Sequence, residues 1–134
     1  MRAGAIAGTL TNRGYRQLKI EQRFYSAGPL AFIWMTGRWP TKVIDHANCI
    51  KDDNRWSNLR AATRSQNAAN GHIRKNKLYS NLKGVTWSKR DQMFRATIKV
   101  NYRLINLGRF DTQEKAHAAY VAAARRHFGS FARY

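Results

Sequence analysis

The chain has 134 residues, with 25 lysines and arginines against 7 acids and a net charge of +18. That length suits one ordinary domain or two very small ones, and a field of that sign draws in polyanions, nucleic acid first and an anionic membrane surface second. No apolar run approaches a membrane span, no sustained apolar core precedes a cleavage site at the start, and the single Cys49 excludes an internal disulfide or a zinc site of several thiolates. All three fit a protein of the reducing cytoplasm.

In chain order, "GYRQLKI" sets Tyr15, Leu18 and Ile20 among polar residues, and "RFYSA" follows, which predicts a small hairpin. "PLAFIWMTG" predicts a short buried helix with Pro29 in its first turn and Gly37 at its end. "KVIDH" is a short strand. The polar loop "ANCIKDDNRW" separates it from "SNLRAA", where Leu59 and Ala61 alternate with Asn58 and Arg60 as in a half-buried strand. Thr63-x-x-Gln66 has the form of a capping box, so a helix should start at Arg64 and carry Asn67 in its first turns.

Residues 1–70 hold 11 basic and 4 acidic side chains, and residues 71–134 hold 14 and 3, so both halves face polyanions. Asn70 to Asn81 has no defensible period and reads as a basic linker. Beyond it, "KGVTW", "FRATIKV" and "RLINLGRF" predict three strands joined by tight turns. Phe94, Ala96 and Ile98 form an apolar face, with Arg95, Thr97 and Lys99 opposite. "TQEKAHAAYVAAARRHF" predicts a helix capped by Asp111 or Thr112 and stopped by Gly129, its alanines letting it lie close on that apolar face. The expected class is α+β, in three parts: a first domain over 1–70, a linker over 71–81 and a second domain over 82–134.

The chemistry concentrates at Asp45-His46. Water attacking a phosphodiester must lose a proton, and charge on the leaving oxygen must be neutralised. A neutral imidazole suits the first task near pH 7, and a hard divalent cation with oxygen ligands suits the second. Asp45 offers a carboxylate oxygen and Asn67 an amide oxygen. Strand alternation turns His46 away from Asp45, unless the strand end twists, so the imidazole can work beside a metal without ligating it.

Asp45-His46, Asn58 twelve residues on within "NRWSNLR", and Asn67 nine further resemble the HNH endonucleases of phage and intron-homing type. "LAFIWMTGRWP" is similar to the helix that precedes their motif. The resemblance covers roughly residues 8–70. It implies a ββα-metal finger, preceded by the small hairpin and helix, in which Asp45 and Asn67 bind the metal, Mg²⁺ or Mn²⁺. His46 would be the general base, and Asn58 would brace the loop through its backbone. "KGVTW", "FRATI" and "NLGRFDTQEKAHAAYVAAARRHFG" resemble a plant-type APETALA2 DNA-binding domain, a three-stranded antiparallel sheet packed on one helix. The resemblance puts Lys83, Thr86, Thr97, Lys99 and Asn106 on the DNA-facing side, and the alternation adds Arg95. Phage HNH members usually carry Gly where Cys49 stands and His-Arg where Gly28-Pro29 stands. The first departure bears on the loop turn, since Gly takes positive φ cheaply.

Other residues have plainer readings. Asp52 and Asp53 read as a solvated loop tip rather than extra ligands, and Cys49 as a small loop residue. Asn70 and Asn81 read as loop residues. His72 is off the spacing that would put it on the helix face of Asn67 and reads as solvated. His117 and His127 read as surface or packing groups. Trp39 and Trp56 read as core, and Trp87 either stacks on DNA or closes the sheet. The whole describes a metal-dependent endonuclease acting on double-stranded DNA, with no membrane partner, in a phage's host cytoplasm. A double-strand break would require a homodimer on DNA or a second visit. The rival readings are a non-cleaving DNA-binding regulator with a degenerate finger and, more weakly, an RNA- or ribosome-associated basic protein.

Overall fold

A three-stranded antiparallel sheet begins the chain in the computed structural model, which describes residues 6–73 and 81–134. Strands β2 (Arg16–Ile20) and β3 (Arg23–Ser26) form the expected hairpin. Glu21 and Gln22 link them at φ 46° and 66°, the doubly positive turn whose twist matches the flanking strands. The two-residue strand β1 (Thr9–Leu10), too short to show alternation in sequence, adds to the edge of β2. Helix α1 (Ala27–Thr36) then holds Pro29 in its first turn and ends at Gly37, whose left-handed φ of 70° lets its N–H reach Ile33 O.

Strands β4 (Val43–His46) and β5 (Leu59–Ala62) pair antiparallel, with Asp45 opposite Arg60 and His46 opposite Leu59. Two details depart from the expected alternation. A 3-10 turn, Trp56–Asn58, precedes β5, so Asn58 stands before the strand rather than in it. Ala62, not Ala61, joins Leu59 in the buried set, and Ala61 is exposed. Trp39 and Trp56 are 52% and 41% exposed, which corrects their reading as core. Their rings instead lean on single aromatic neighbours, Tyr25 and Phe32.

The chain divides into two compact units, Met1–Thr63 and Arg64–Tyr134. The second starts with α2 (Arg64–Asn70), which begins at the expected residue. Its Ala69 packs with Ile98, Tyr120, Ala124 and Phe128 in one buried cluster. Asn70, expected in a loop, is the last residue of this helix and is buried. Residues 74–80 of the expected linker lie outside the described residues.

Strands β6 (Val85–Ser88), β7 (Met93–Val100) and β8 (Arg103–Phe110) form a sheet in that order, antiparallel throughout. Helix α3 (Gln113–Phe128) covers its apolar face. Ala116, Tyr120, Ala124 and Phe128 recur every four residues and are all buried, the stripe a helix presents to a sheet. Gly84 is where Tyr120 comes closest, since a Cβ there would fall within 2.0 Å of the ring. A bulge sits in β8: Ala96 faces Gly108 while Thr97 faces Asn106, leaving Leu107 as the extra residue. Leu107 is thereby turned into both apolar clusters. Of the two candidate caps on α3, Thr112 accepts from Lys115 N, while Asp111 takes the Lys115 ammonium at 2.7 Å. Among the described residues the three helices and three small antiparallel sheets make a mixed α+β chain, and no helix is long and apolar enough to cross a membrane.

Candidate functional site

Asp45 and His46 end β4, and both are buried, at 4% and 8% exposure. Successive strand residues face opposite ways, and their surroundings differ accordingly. The Asp45 carboxylate meets the Arg60 guanidinium of β5 at 2.8 Å. On the other side, the His46 ring lies next to Gly28 of α1 and 6.1 Å, centroid to centroid, from the Tyr15 ring. Its Nε2 is 3.1 Å from Asn54 Oδ1. Asn54 Nδ2 donates to Asp52 O, which leaves Oδ1 as the acceptor facing the imidazole. This acceptor suits the His46 tautomer that carries its proton on Nε2.

The loop between the strands is tightly organised. Asn58 Oδ1 accepts from Asn48 N at 3.0 Å, and its Nδ2 donates to Asp53 O at 2.7 Å, so one amide spans the loop. Ala47 N reaches Asn58 O, Cys49 N reaches His46 O, and Asn48 Oδ1 accepts from Ile50 N. Cys49 sits at φ 64°, the left-handed conformation that a non-glycine residue adopts at a cost of about 1–2 kcal/mol. The turn keeps its shape although the residue lacks glycine's freedom.

Asp52 and Asp53 are not a solvated tip. Arg16 of β2 grips Asp52 with two parallel bonds, at 2.6 and 2.8 Å, and holds its carboxyl below the usual range. Arg55 and Asn48 do the same for Asp53. Both carboxylates are thus committed to folding the loop. Arg60, Asn54 and Arg16 were missed by sequence reasoning, because each becomes a partner only through register or loop closure.

Asn67 lies on α2, in the second unit, and its side chain is exposed. Among the described residues no three His, Cys, Asp or Glu side chains cluster as a metal site.

The open face of the second unit's sheet carries most of the expected nucleic-acid set. Thr86, Arg95 and Arg109 form one cross-strand row, Thr97 and Asn106 a second, Lys99 and Leu104 a third. Thr86, Lys99 and Asn106 are exposed, and Arg95 and Thr97 half-buried. Asp91, in the β6–β7 turn, lies 3.4 Å from the guanidiniums of Arg90, Arg95 and Arg109. The Ser88 hydroxyl and the Arg109 and Arg90 guanidiniums keep its carboxyl below the usual range. Asn106 Oδ1 accepts from Gly108 N beside the bulge.

Lys83 departs from this set. Its ammonium donates to Ala69 O, to Gly71 O at 2.7 Å and to Arg133 O at 3.0 Å. The reason is positional: carbonyls at the end of α2 lack intrahelical donors, and a cation there satisfies them. Trp87 is half-buried with its ring edge on Phe94 at 4.7 Å, closing the sheet. His117 is a packing group, bonded to Lys83 O and stacked on Tyr120.

No curated protein and no solved structure matched the chain. Residues 29–69 match the family model of HNH endonucleases, a span that contains Asp45, His46, Asn58 and Asn67 and supports a nuclease of HNH type.

Proposed function

We propose that the chain is a metal-dependent DNA endonuclease of the HNH type, with its chemistry centred on Asp45 and His46 at the end of β4. The observation that carries the reading is the pairing at the end of β4. A buried carboxylate and a buried imidazole stand on adjacent residues, inside the segment that matches the HNH family. His46 Nδ1 takes the proton of the attacking water, and Asn54 holds the ring in the tautomer that makes this nitrogen basic. Asn58 keeps the loop in the shape that presents both side chains.

The donor set fits a hard divalent cation, Mg²⁺ by preference. Asp45 supplies one carboxylate oxygen, which the cation would share with the Arg60 guanidinium at 2.8 Å, and Asn67 is the second ligand that the HNH resemblance implies. So few protein ligands suit a cation that keeps waters and takes phosphate oxygens. When bound, the cation supplies charge neutralisation at the leaving 3′ oxygen. In-line attack leaves a 3′-hydroxyl and a 5′-phosphate.

The second unit, APETALA2-like in its order of three strands and a helix, holds duplex DNA on the sheet face of Thr86, Arg95, Thr97, Lys99 and Asn106. A major groove admits such a sheet and displays base edges to it. The non-cleaving alternative draws on the same contact: an Asp45 already neutralised by Arg60 folds without any metal. A plasmid-nicking assay with Mg²⁺ and with chelator separates the two. Mg²⁺-dependent nicks bearing 5′-phosphates support the endonuclease, and binding without nicks overturns it.

A further inference from the structure

A groove of about 380 Å³ opens on the first unit, lined by Phe32, Arg38, Trp39, Thr41 and Lys42 among others. Nothing in the chemistry proposed for His46 uses it. Trp39 is half exposed, braced edge-on by Tyr25 at 6.2 Å, while Phe32 is backed by Trp56 at 5.7 Å. Trp34 on the same helix is 87% exposed. Among the described residues the side chains of Arg38 and Lys42 have no hydrogen-bond or ion-pair partner.

The geometry points to a seat for one unpaired nucleotide, its base stacked on the Trp39 indole and its phosphate neutralised by Arg38 and Lys42. This rests on the nucleic-acid reading above. An exposed aromatic ring combined with unpaired cations is the composition of a single-strand platform. A base pair inside a duplex has both faces covered by its neighbours, so the ring favours an unstacked base. A second copy of the chain is a poor occupant, because a self-complementary contact would set Arg38 and Lys42 of both copies together on molecules of charge +18. The nuclease unit would thereby favour substrates with a frayed, flapped or tailed strand beside the duplex.

The test uses the full chain in chelator, with a blunt duplex, the same duplex carrying an oligothymidine tail, and phosphatidylserine vesicles. The tail should tighten binding about tenfold, the scale of one stacked base. Trp39→Leu should abolish that gain while Trp39→Phe keeps most of it, and blunt-duplex affinity should be equal for all three proteins. A tail that adds nothing, or a gain that survives Trp39→Leu, overturns the inference. So does a Trp39→Leu defect confined to vesicle binding. If the tail binds through Trp39 but the blunt duplex does not bind at all, the inference stands and the duplex endonuclease reading fails.

Discussion

His46 Nε2 and Asn54 Oδ1 lie 3.1 Å apart, and the other half of that amide is spent on Asp52 O. Asn54 is therefore an acceptor that orients the imidazole. Asn54→Leu should lower the nicking rate about tenfold, part of the 10²–10⁴ that positioned proton transfer contributes. Nicking rates of the two proteins at saturating Mg²⁺ check it. An unchanged rate would remove Asn54 from the mechanism.

His46→Ala separates chemistry from binding. Nicking should fall by about 10²–10⁴, while duplex affinity in chelator stays at the wild-type level. Equal nicking by the two proteins with Mg²⁺ present would show that His46 is not the base.

Cys49→Gly should stabilise the protein. The turn holds Cys49 at φ 64°, and glycine relieves about 1–2 kcal/mol of left-handed strain at a smaller entropic cost in the unfolded chain. The net gain should be about 0.5–1 kcal/mol, read as a higher unfolding midpoint. A lower midpoint would mean that the thiol packs better than the backbone is strained.

Acid should unfold the first unit through its loop. Arg16 lowers the Asp52 pKa and Arg55 lowers that of Asp53. A carboxylate depressed in the folded state contributes stability above its unfolded value, about 3.9, and that contribution disappears as pH falls through the lowered folded value. Unfolding midpoints should thus drop steeply below about pH 4. Asp52→Asn should be less stable at neutral pH and show a shallower acid fall; parallel curves for the two proteins would contradict this.

Lys83 and Lys99 should behave differently although both are lysines of the basic half. Lys83 closes backbone carbonyls, so Lys83→Met should cost about 1–3 kcal/mol of stability and leave the salt slope of DNA binding unchanged. Lys99→Met should leave stability intact and reduce that slope by about one. Salt titrations of both variants decide it.

How much of this was legible in sequence depends on how local the cause was. Ala96 and Ile98 on β7 and the Ala116–Tyr120–Ala124 stripe on α3 announce themselves, because period two and period four are written within a few residues. The stop at Gly37 is equally local. The partners of the site residues are not. Arg60 reaches Asp45 across 15 residues through strand register, and Arg16 reaches Asp52 across 36 through packing of the hairpin on the loop. Neither Trp39 nor Trp56 could be placed from hydrophobicity alone, since a small unit has little interior in which to bury large rings. The partners of Lys83 are hidden for a related reason: its charge is visible in sequence, whereas the helix end that claims it is set by the fold.

Asp91 has a consequence for how the open sheet would meet a duplex. One carboxylate, itself only 11% exposed, already stands within 3.4 Å of Arg90, Arg95 and Arg109. An incoming phosphate would find Arg95 and Arg109 already drawn toward one point, so less freedom remains to be lost at docking. On the proposed reading the acid would act as a rehearsal anion for Arg95 and Arg109, and it would also weaken the field they offer to any polyanion that does not fit.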